Sequence, residues 1–191
     1  MALAKSRLSN ARGFSLAEVL VAAGIMTTAL LGLAQLFAMS VRANTMAKNT
    51  TFSTILAEQK LEQLRALAWG FDREGLPVSD MTTNTAVDPE SQVGGTGLSP
   101  SPNTSLQENT AGWIDWLDRD GRIIGSDEDP PAGAMYFRRW SVEPLPTNPN
   151  NTLILQVLVG RIRDRGDADQ GRVMRLAEEA RVMTVKTRKA Q

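Results

Sequence analysis

The apolar positions of this 191-residue chain begin with one long uninterrupted run. From Val19 to Val41 the chain has 23 residues without a charge, and its only polar side chains are Thr27, Thr28, Gln35 and Ser40. At about 1.5 Å per residue, a helix of this length reaches roughly 35 Å, which exceeds a hydrocarbon core of about 30 Å. The apolar part of a cleavable secretion signal has only about 7–15 residues. The run therefore predicts a membrane-spanning helix.

A second pattern, with helical spacing, follows the span. Residues 42 to 69 contain neither Pro nor Gly, and Gly70 supplies a stop signal. Apolar residues recur at helical intervals in this stretch: Phe52, Ile55, Leu56, Leu61, Leu64, Leu67 and Ala68. The pattern predicts one helix from Phe14 to Trp69, whose second half packs an apolar face on a globular head. Charged residues at helical spacing predict weak surface ion pairs here: Glu58, Glu62, Lys60 and Arg65.

The head, residues 70 to 191, begins with a stretch that has few signals of regular structure. Val78 to Gly112 is crowded with Ser, Thr, Asn, Gly and Pro, which predicts a flexible surface loop. Its glycines, Gly94-Gly95-Thr96-Gly97, do not form a phosphate-binding loop, because no lysine follows and no strand precedes them. A binding loop is one interpretation of the segment, and a solvated linker is the preferred one.

Alternating apolar residues then predict an antiparallel sheet. The expected strands are Trp113–Leu117, Arg122–Ile124, Met135–Glu143, Leu153–Arg163 and a final strand within Val173–Lys186, whose first part could instead be a short helix. Asp118 to Gly121 forms the expected hairpin turn, in which Gly121 takes a positive φ. A charged loop is expected over Asp164–Gly171. With the long helix, these strands predict an α+β fold.

The charge distribution orients the span. Lysines plus arginines number 21, as do aspartates plus glutamates, so the formal net charge is zero and no basic stripe indicates nucleic-acid binding. Lys5, Arg7 and Arg12 precede the span, which puts the N-terminus in the cytoplasm by the positive-inside rule. Everything after Arg42 is then expected outside the cytoplasm.

The junction before the span carries the candidate site. A basic leader ends in Gly13, Phe14 follows, and Glu18 lies at the start of the apolar helix. An ionisable side chain within a membrane span costs roughly 2.5–3.5 kcal/mol on insertion scales unless it finds a partner. Glu18 therefore either reaches the cytoplasmic interface or pairs with another chain.

The residues Gly13-Phe14-Ser15-Leu16-Ala17-Glu18-Val19-Leu20 resemble the prepilin cleavage and methylation motif of type IV pilins and pseudopilins. The resemblance implies that a prepilin peptidase cuts after Gly13 and methylates the new N-terminus at Phe14. It also implies that Glu18 pairs with the N-terminal amine of a neighbouring subunit. Removal of the leader takes away three cations and lowers the formal net charge from 0 to −3.

The same resemblance divides the chain into a leader (1–13), a membrane and assembly half of the helix (14–41), an amphipathic half (42–69) and a head (70–191). Leu56-Ala57-Glu58-Gln59-Lys60-Leu61-Glu62-Gln63-Leu64-Arg65 is similar to minor pilins of the PilV type. Two features depart from major pilins. No proline interrupts the predicted helix, and the absence of cysteine excludes a disulfide-closed C-terminal loop.

The function implied is that of a minor pilin or pseudopilin, which assembles into or primes a type IV pilus or a related filament. Its expected partners are other pilin subunits, the prepilin peptidase and, before assembly, the bacterial inner membrane, which it crosses once. Its final place is then the pilus at the cell surface or a periplasmic pseudopilus. The alternatives are a type II secretion pseudopilin, or an adhesin or DNA-uptake tip subunit that uses loop 78–112 or the Trp113–Trp140 surface.

Catalysis is not expected of the head. The chain has no His and no Cys, which removes the commonest general bases, thiol nucleophiles and zinc ligands, and no cofactor is predicted. One acidic group could supply oxygen ligands to calcium: Asp118, Asp120, Asp127, Glu128 and Asp129. Its spacing is not that of an EF-hand, so a turn and a solvated acidic loop are preferred. Trp113, Trp116 and Trp140 suit a sugar-stacking surface, but a core position is preferred for them.

Overall fold

The computed structural model describes residues 13–162 and 179–188. In chain order the elements are α1 (Leu16–Ala66), β1 (Trp69–Phe71), β2 (Pro77–Ser79), β3 (Ile114–Leu117), β4 (Ile123–Gly125), β5 (Tyr136–Pro144), β6 (Thr152–Arg161) and β7 (Ala180–Thr187). The leader before Gly13, the expected charged loop at 164–171 and the first part of the 173–186 segment lie outside the described residues.

The long helix is confirmed as one element of 51 residues. It begins at Leu16 rather than at Phe14, and it ends at Ala66 rather than at Trp69, since Trp69 already belongs to β1. Lys186 on β7 donates from Nζ to the carbonyl oxygens of Arg65 and, at 2.8 Å, Leu67, and so satisfies carbonyls that the helix end leaves without partners. The chain forms two compact units, Met1–Thr45 and Met46–Gln191, and α1 runs through the boundary between them.

The predicted antiparallel sheet is confirmed in the second unit. Its five strands lie in the order β4-β3-β5-β6-β7, and every neighbouring pair is antiparallel. The strand bounds differ by one or two residues from those expected. A separate hairpin of β1 and β2 was missed, since each strand has only three residues and the alternation is too short to detect.

The inner face of the sheet supplies most of the core. Leu153, Leu155, Val157 and Val159 on β6 are all buried, as their alternation predicted. Leu56 and Leu64 of α1 are buried in the same cluster. Ile55 was expected there, but its side chain is 55% exposed. The buried stripe of the helix instead follows Ser53, Leu56, Ala57, Lys60, Leu61 and Leu64, one position away from Ile55.

The turn between β3 and β4 is the predicted one, and α1 packs against it. Gly121 has a φ of 83°, which favours glycine, and its N–H donates to the carbonyl of Asp118. A Cβ at Gly121 would lie 2.8 Å from Cδ2 of Leu56 and 3.4 Å from Cζ of Phe52. Phe52 also meets the ring of Tyr136 edge-on, with 5.3 Å between the ring centroids. The turn therefore needs glycine for both its backbone conformation and its packing.

The interpretation of 78–112 as a solvated linker is wrong. The segment has little regular structure, but its apolar residues Ala86, Leu98 and Leu106 are buried. The carboxylate of Asp80 accepts backbone N–H bonds from Thr82 and Thr83, and Asp80 O accepts one of 2.7 Å from the N–H of Leu98. The backbone groups around Asp80 thus have partners within the segment, which lets it cover the core.

Candidate functional site

The junction residues lie at the start of α1 and are open to solvent. Gly13, Phe14 and Ser15 precede the first helical turn, and the Phe14 side chain is 88% exposed. No described atom lies within 4 Å of the position that a Cβ on Gly13 would occupy. A peptidase that contacts the backbone at this residue therefore meets no obstruction from the described part of the chain.

Glu18 takes part in a helix cap that sequence reasoning missed. The N–H of Ser15 donates to Oε2 of Glu18 at 2.9 Å, and the N–H of Glu18 donates to Oγ of Ser15 at 3.2 Å. This reciprocal pair is a capping box, and it satisfies donors that the first turn of a helix leaves free. The signal was present in the sequence, because Ser15 and Glu18 have the Ser-x-x-Glu spacing. The carboxylate thus has an intrachain role alongside any role in assembly.

The helical segment after Glu18 has the surface of a membrane anchor. Among the described residues, α1 is the helix long and apolar enough to cross a membrane, and the residues of its most apolar window are unburied. The hydroxyls of Thr27 and Thr28 donate to carbonyls one turn earlier, including that of Gly24 at 2.9 and 2.8 Å. Because these hydroxyls are satisfied within the helix, they do not oppose insertion into lipid.

The head contains a buried charged cluster formed by Lys60 of α1, Asp115 of β3 and Arg138 of β5. Nζ of Lys60 lies 3.0 Å from Oδ2 of Asp115, and Nη2 of Arg138 lies 2.7 Å from the same oxygen. Arg138 also donates from Nε to this oxygen at 2.9 Å and from Nη1 to the carbonyl of Leu56 at 3.2 Å. Two cations therefore share one carboxylate in the core.

The predicted surface position of Lys60 is wrong. The residue was expected in a surface ion pair, but its side chain is fully buried (0% exposed). Its Nζ donates to the carbonyl of Thr85 at 2.8 Å and lies 3.7 Å from the centroid of the Trp140 ring. Burial lowers the pKa of Lys60 from 10.5 to about 8, although the charge of Asp115 opposes that change. The expected surface pair of Glu62 and Arg65 is present at 2.5 Å.

The sequence carried one signal for this cluster. Lys60 lies at the helical interval from Leu56 and Leu64, which places it on the apolar stripe rather than beside it. In the same way, Arg138 alternates with two buried aromatic residues of β5, Tyr136 and Trp140. A charged residue at an inward position predicts a buried partner, because an isolated charge in the core is very unfavourable.

The acidic and aromatic alternatives find no support in the described residues. Oδ1 of Asp118 accepts backbone N–H bonds of 2.8 and 2.9 Å and so serves the β3–β4 turn. The described part of the chain holds no group of three or more metal-ligating side chains. All three tryptophans proposed for sugar stacking, Trp113, Trp116 and Trp140, are buried and belong to the head's interior.

Three comparisons with known proteins found no relative of this chain. No family model, curated protein or solved structure matches the chain. The features that bear on function are therefore the junction residues, the apolar helix and the α+β head.

Proposed function

We propose that this chain is a minor pilin or pseudopilin, a membrane-anchored subunit that a prepilin peptidase matures for assembly into a type IV pilus or a related filament. The observation that carries the proposal is the position of the Gly13–Glu18 motif. It lies at the start of a helix whose first-half apolar residues are exposed and whose later turns enter the core of an α+β head. An exposed apolar surface of this extent needs lipid or other apolar helices around it.

The same surface serves both stages of the proposed pathway. Before assembly, the segment from Val19 to Val41 spans the inner membrane, with Lys5, Arg7 and Arg12 on the cytoplasmic side. After cleavage, the apolar residues pack against the corresponding helices of neighbouring subunits and remain shielded from water. The head stays outside the cytoplasm throughout.

Glu18 is proposed to select the neighbouring subunit. Cleavage after Gly13 creates a free amine at Phe14, and a carboxylate in an apolar environment is a strong partner for such a cation. Oε2 of Glu18 accepts the bond from Ser15, whereas Oε1 makes no hydrogen bond to the described residues. The cap can therefore persist while the other oxygen accepts a bond from the amine of the next subunit.

N-terminal mass spectrometry tests the processing step. The full chain is expressed in a bacterium with and without a prepilin peptidase, and the membrane fraction is analysed. With the peptidase present we expect a mature chain that begins at Phe14 and carries one N-methyl group. An intact terminus at Met1, or a terminus near Ala43, contradicts the proposal.

Two variants separate the junction from the charge of the leader. Gly13→Arg puts a large side chain at the cleaved bond and should leave the leader attached. Ala11→Arg adds the same charge two residues earlier, keeps Gly13, and should be processed normally. Equal processing of the two variants would show that Gly13 is not the recognised residue.

A further inference from the structure

The buried cluster of Lys60, Asp115 and Arg138 carries a net positive charge when all three groups are ionised. It lies where α1, β3, β5 and the 78–112 segment meet, and none of its side chains is exposed by more than 1%. We propose that this cluster is a pH-sensitive lock, in which loss of the Lys60 proton removes the excess charge from the core and strengthens the packing of α1 on the sheet. The proposal concerns the head alone and does not depend on the proposed role in a filament.

The charges around Lys60 come from every element packed against it. Asp115 on β3 attracts the ammonium directly, and Arg138 on β5 repels it. Glu90, in the segment between β2 and β3, attracts it from a greater distance. On its own helix the neighbouring carboxylate Glu62 is exposed and pairs with Arg65 instead. Lys60 thus shares its nearest counter-charge, Asp115, with the guanidinium of Arg138.

The sign of the effect follows from the cost of burial. Desolvation is the largest influence on Lys60 and lowers its pKa from 10.5 to about 8, against the opposing attraction of Asp115. Between these two pH values the unfolded chain binds a proton at this lysine that the folded chain does not bind. Stability therefore increases with pH across this window, whereas below about pH 8 the folded protein keeps the full cost of the buried ammonium.

The contacts of Lys60 explain why deprotonation should tighten the head instead of opening it. A neutral amine still donates hydrogen bonds, so the bonds to the carbonyl of Thr85 and to Asp115 survive the loss of the proton. Asp115 then pairs with Arg138 alone, through the two bonds to Nε and Nη2. The core changes from one carboxylate with two cations to one balanced ion pair, and the contact of Lys60 with the Trp140 ring loses only its cationic attraction.

The test uses the full chain in detergent micelles. Unfolding by urea is followed by the fluorescence of the head's buried tryptophans at a series of pH values from about 7.5 to 10.5. A pKa of about 8 in the folded state predicts that the folding equilibrium constant rises on the order of 100-fold over that interval. Lys48→Met, which removes an exposed lysine of the same helix, should show the same rise.

Lys60→Met isolates the contribution of the lock. Methionine fills a similar volume and leaves the Asp115–Arg138 pair intact, so this variant should fold, be more stable than the wild type near pH 7.5, and lose most of the rise with pH. A variant that keeps the full 100-fold rise overturns the proposal. If Lys60→Met does not fold, the wild type and Lys48→Met still test the proposal. The absence of a rise in their folding equilibrium constants with pH overturns it.

Discussion

Replacing Gly121 by alanine tests how α1 packs on the β3–β4 turn. The added methyl group has two effects. A residue other than glycine at a φ of 83° costs about 1–2 kcal/mol in backbone strain. The new Cβ would also lie 2.8 Å from Cδ2 of Leu56, and overpacking of this kind typically costs about 1–3 kcal/mol. We expect Gly121→Ala to lower the free energy of unfolding by about 2–5 kcal/mol.

Gly133→Ala is the matched control. Gly133 has a similar φ of 91°, but no atom lies within 4 Å of its Cβ position. The same substitution there should cost only the backbone strain of about 1–2 kcal/mol. The free energies are measured by urea unfolding of the full chain in micelles, with tryptophan fluorescence as the signal. Because both variants carry the same strain, the difference between them reports the contact with α1.

A third variant tests whether the δ carbons of Leu56 cause the extra cost of Gly121→Ala. Leu56→Val removes the δ carbons that the new methyl group would meet. In this background Gly121→Ala should cost no more than Gly133→Ala does, and the coupling between the two sites should be about 1–3 kcal/mol. Equal costs for the two glycines in the wild-type background, or no coupling to Leu56, would show that the helix does not pack on this turn.

The remaining predictions concern the span, the 78–112 segment and the helix face. The Glu18→Val variant should insert into the membrane and be processed after Gly13, yet copurify poorly with partner pilins. Normal assembly of this variant would favour the alternative, in which the Glu18 side chain reaches the cytoplasmic interface instead of pairing with a neighbouring subunit. Gly95→Ala places a Cβ 2.1 Å from Cα of Asn84 and should cost about 3 kcal/mol in urea titrations, whereas Gly94→Ala should cost only the backbone strain of about 1–2 kcal/mol. A negligible cost at Gly95 would restore the solvated linker. Leu64→Asp buries an unpaired charge and should cost about 3–5 kcal/mol, whereas Ile55→Asp on the exposed face should change stability by less than about 0.5. Similar losses for these two would mean that the buried face of the helix is misassigned.

The pattern of neighbouring residues was sufficient to predict those elements whose structure depends mainly on their own residues. The 23 uncharged residues from Val19 to Val41 lie in one continuous helix, as their length and apolar composition predicted. Alternation along β6 placed Leu153, Leu155, Val157 and Val159 correctly, because successive side chains of a strand point to opposite faces. The β3–β4 turn was predictable because glycine is the residue that takes a positive φ most readily.

Other features depended on residues far apart in the chain. Lys60 binds the carbonyl of Thr85, 25 residues away, and Arg138 binds that of Leu56, 82 residues away. Apolar periodicity could not separate Ile55 from the buried stripe, because the stripe also contains the polar residues Ser53 and Lys60. Composition likewise predicted solvent exposure for 78–112, although hydrogen bonds around Asp80 allow Leu98 to be buried.

The sequence by itself thus determined the long helix with its apolar first half and the positions of the main strands along the chain. These follow from runs and intervals that a few neighbouring residues define. Only the tertiary structure decided which charged groups are buried and what covers the sheet. A lysine or a polar loop enters a core when distant residues supply its hydrogen bonds and counter-charge, and those partners are brought together only by the fold.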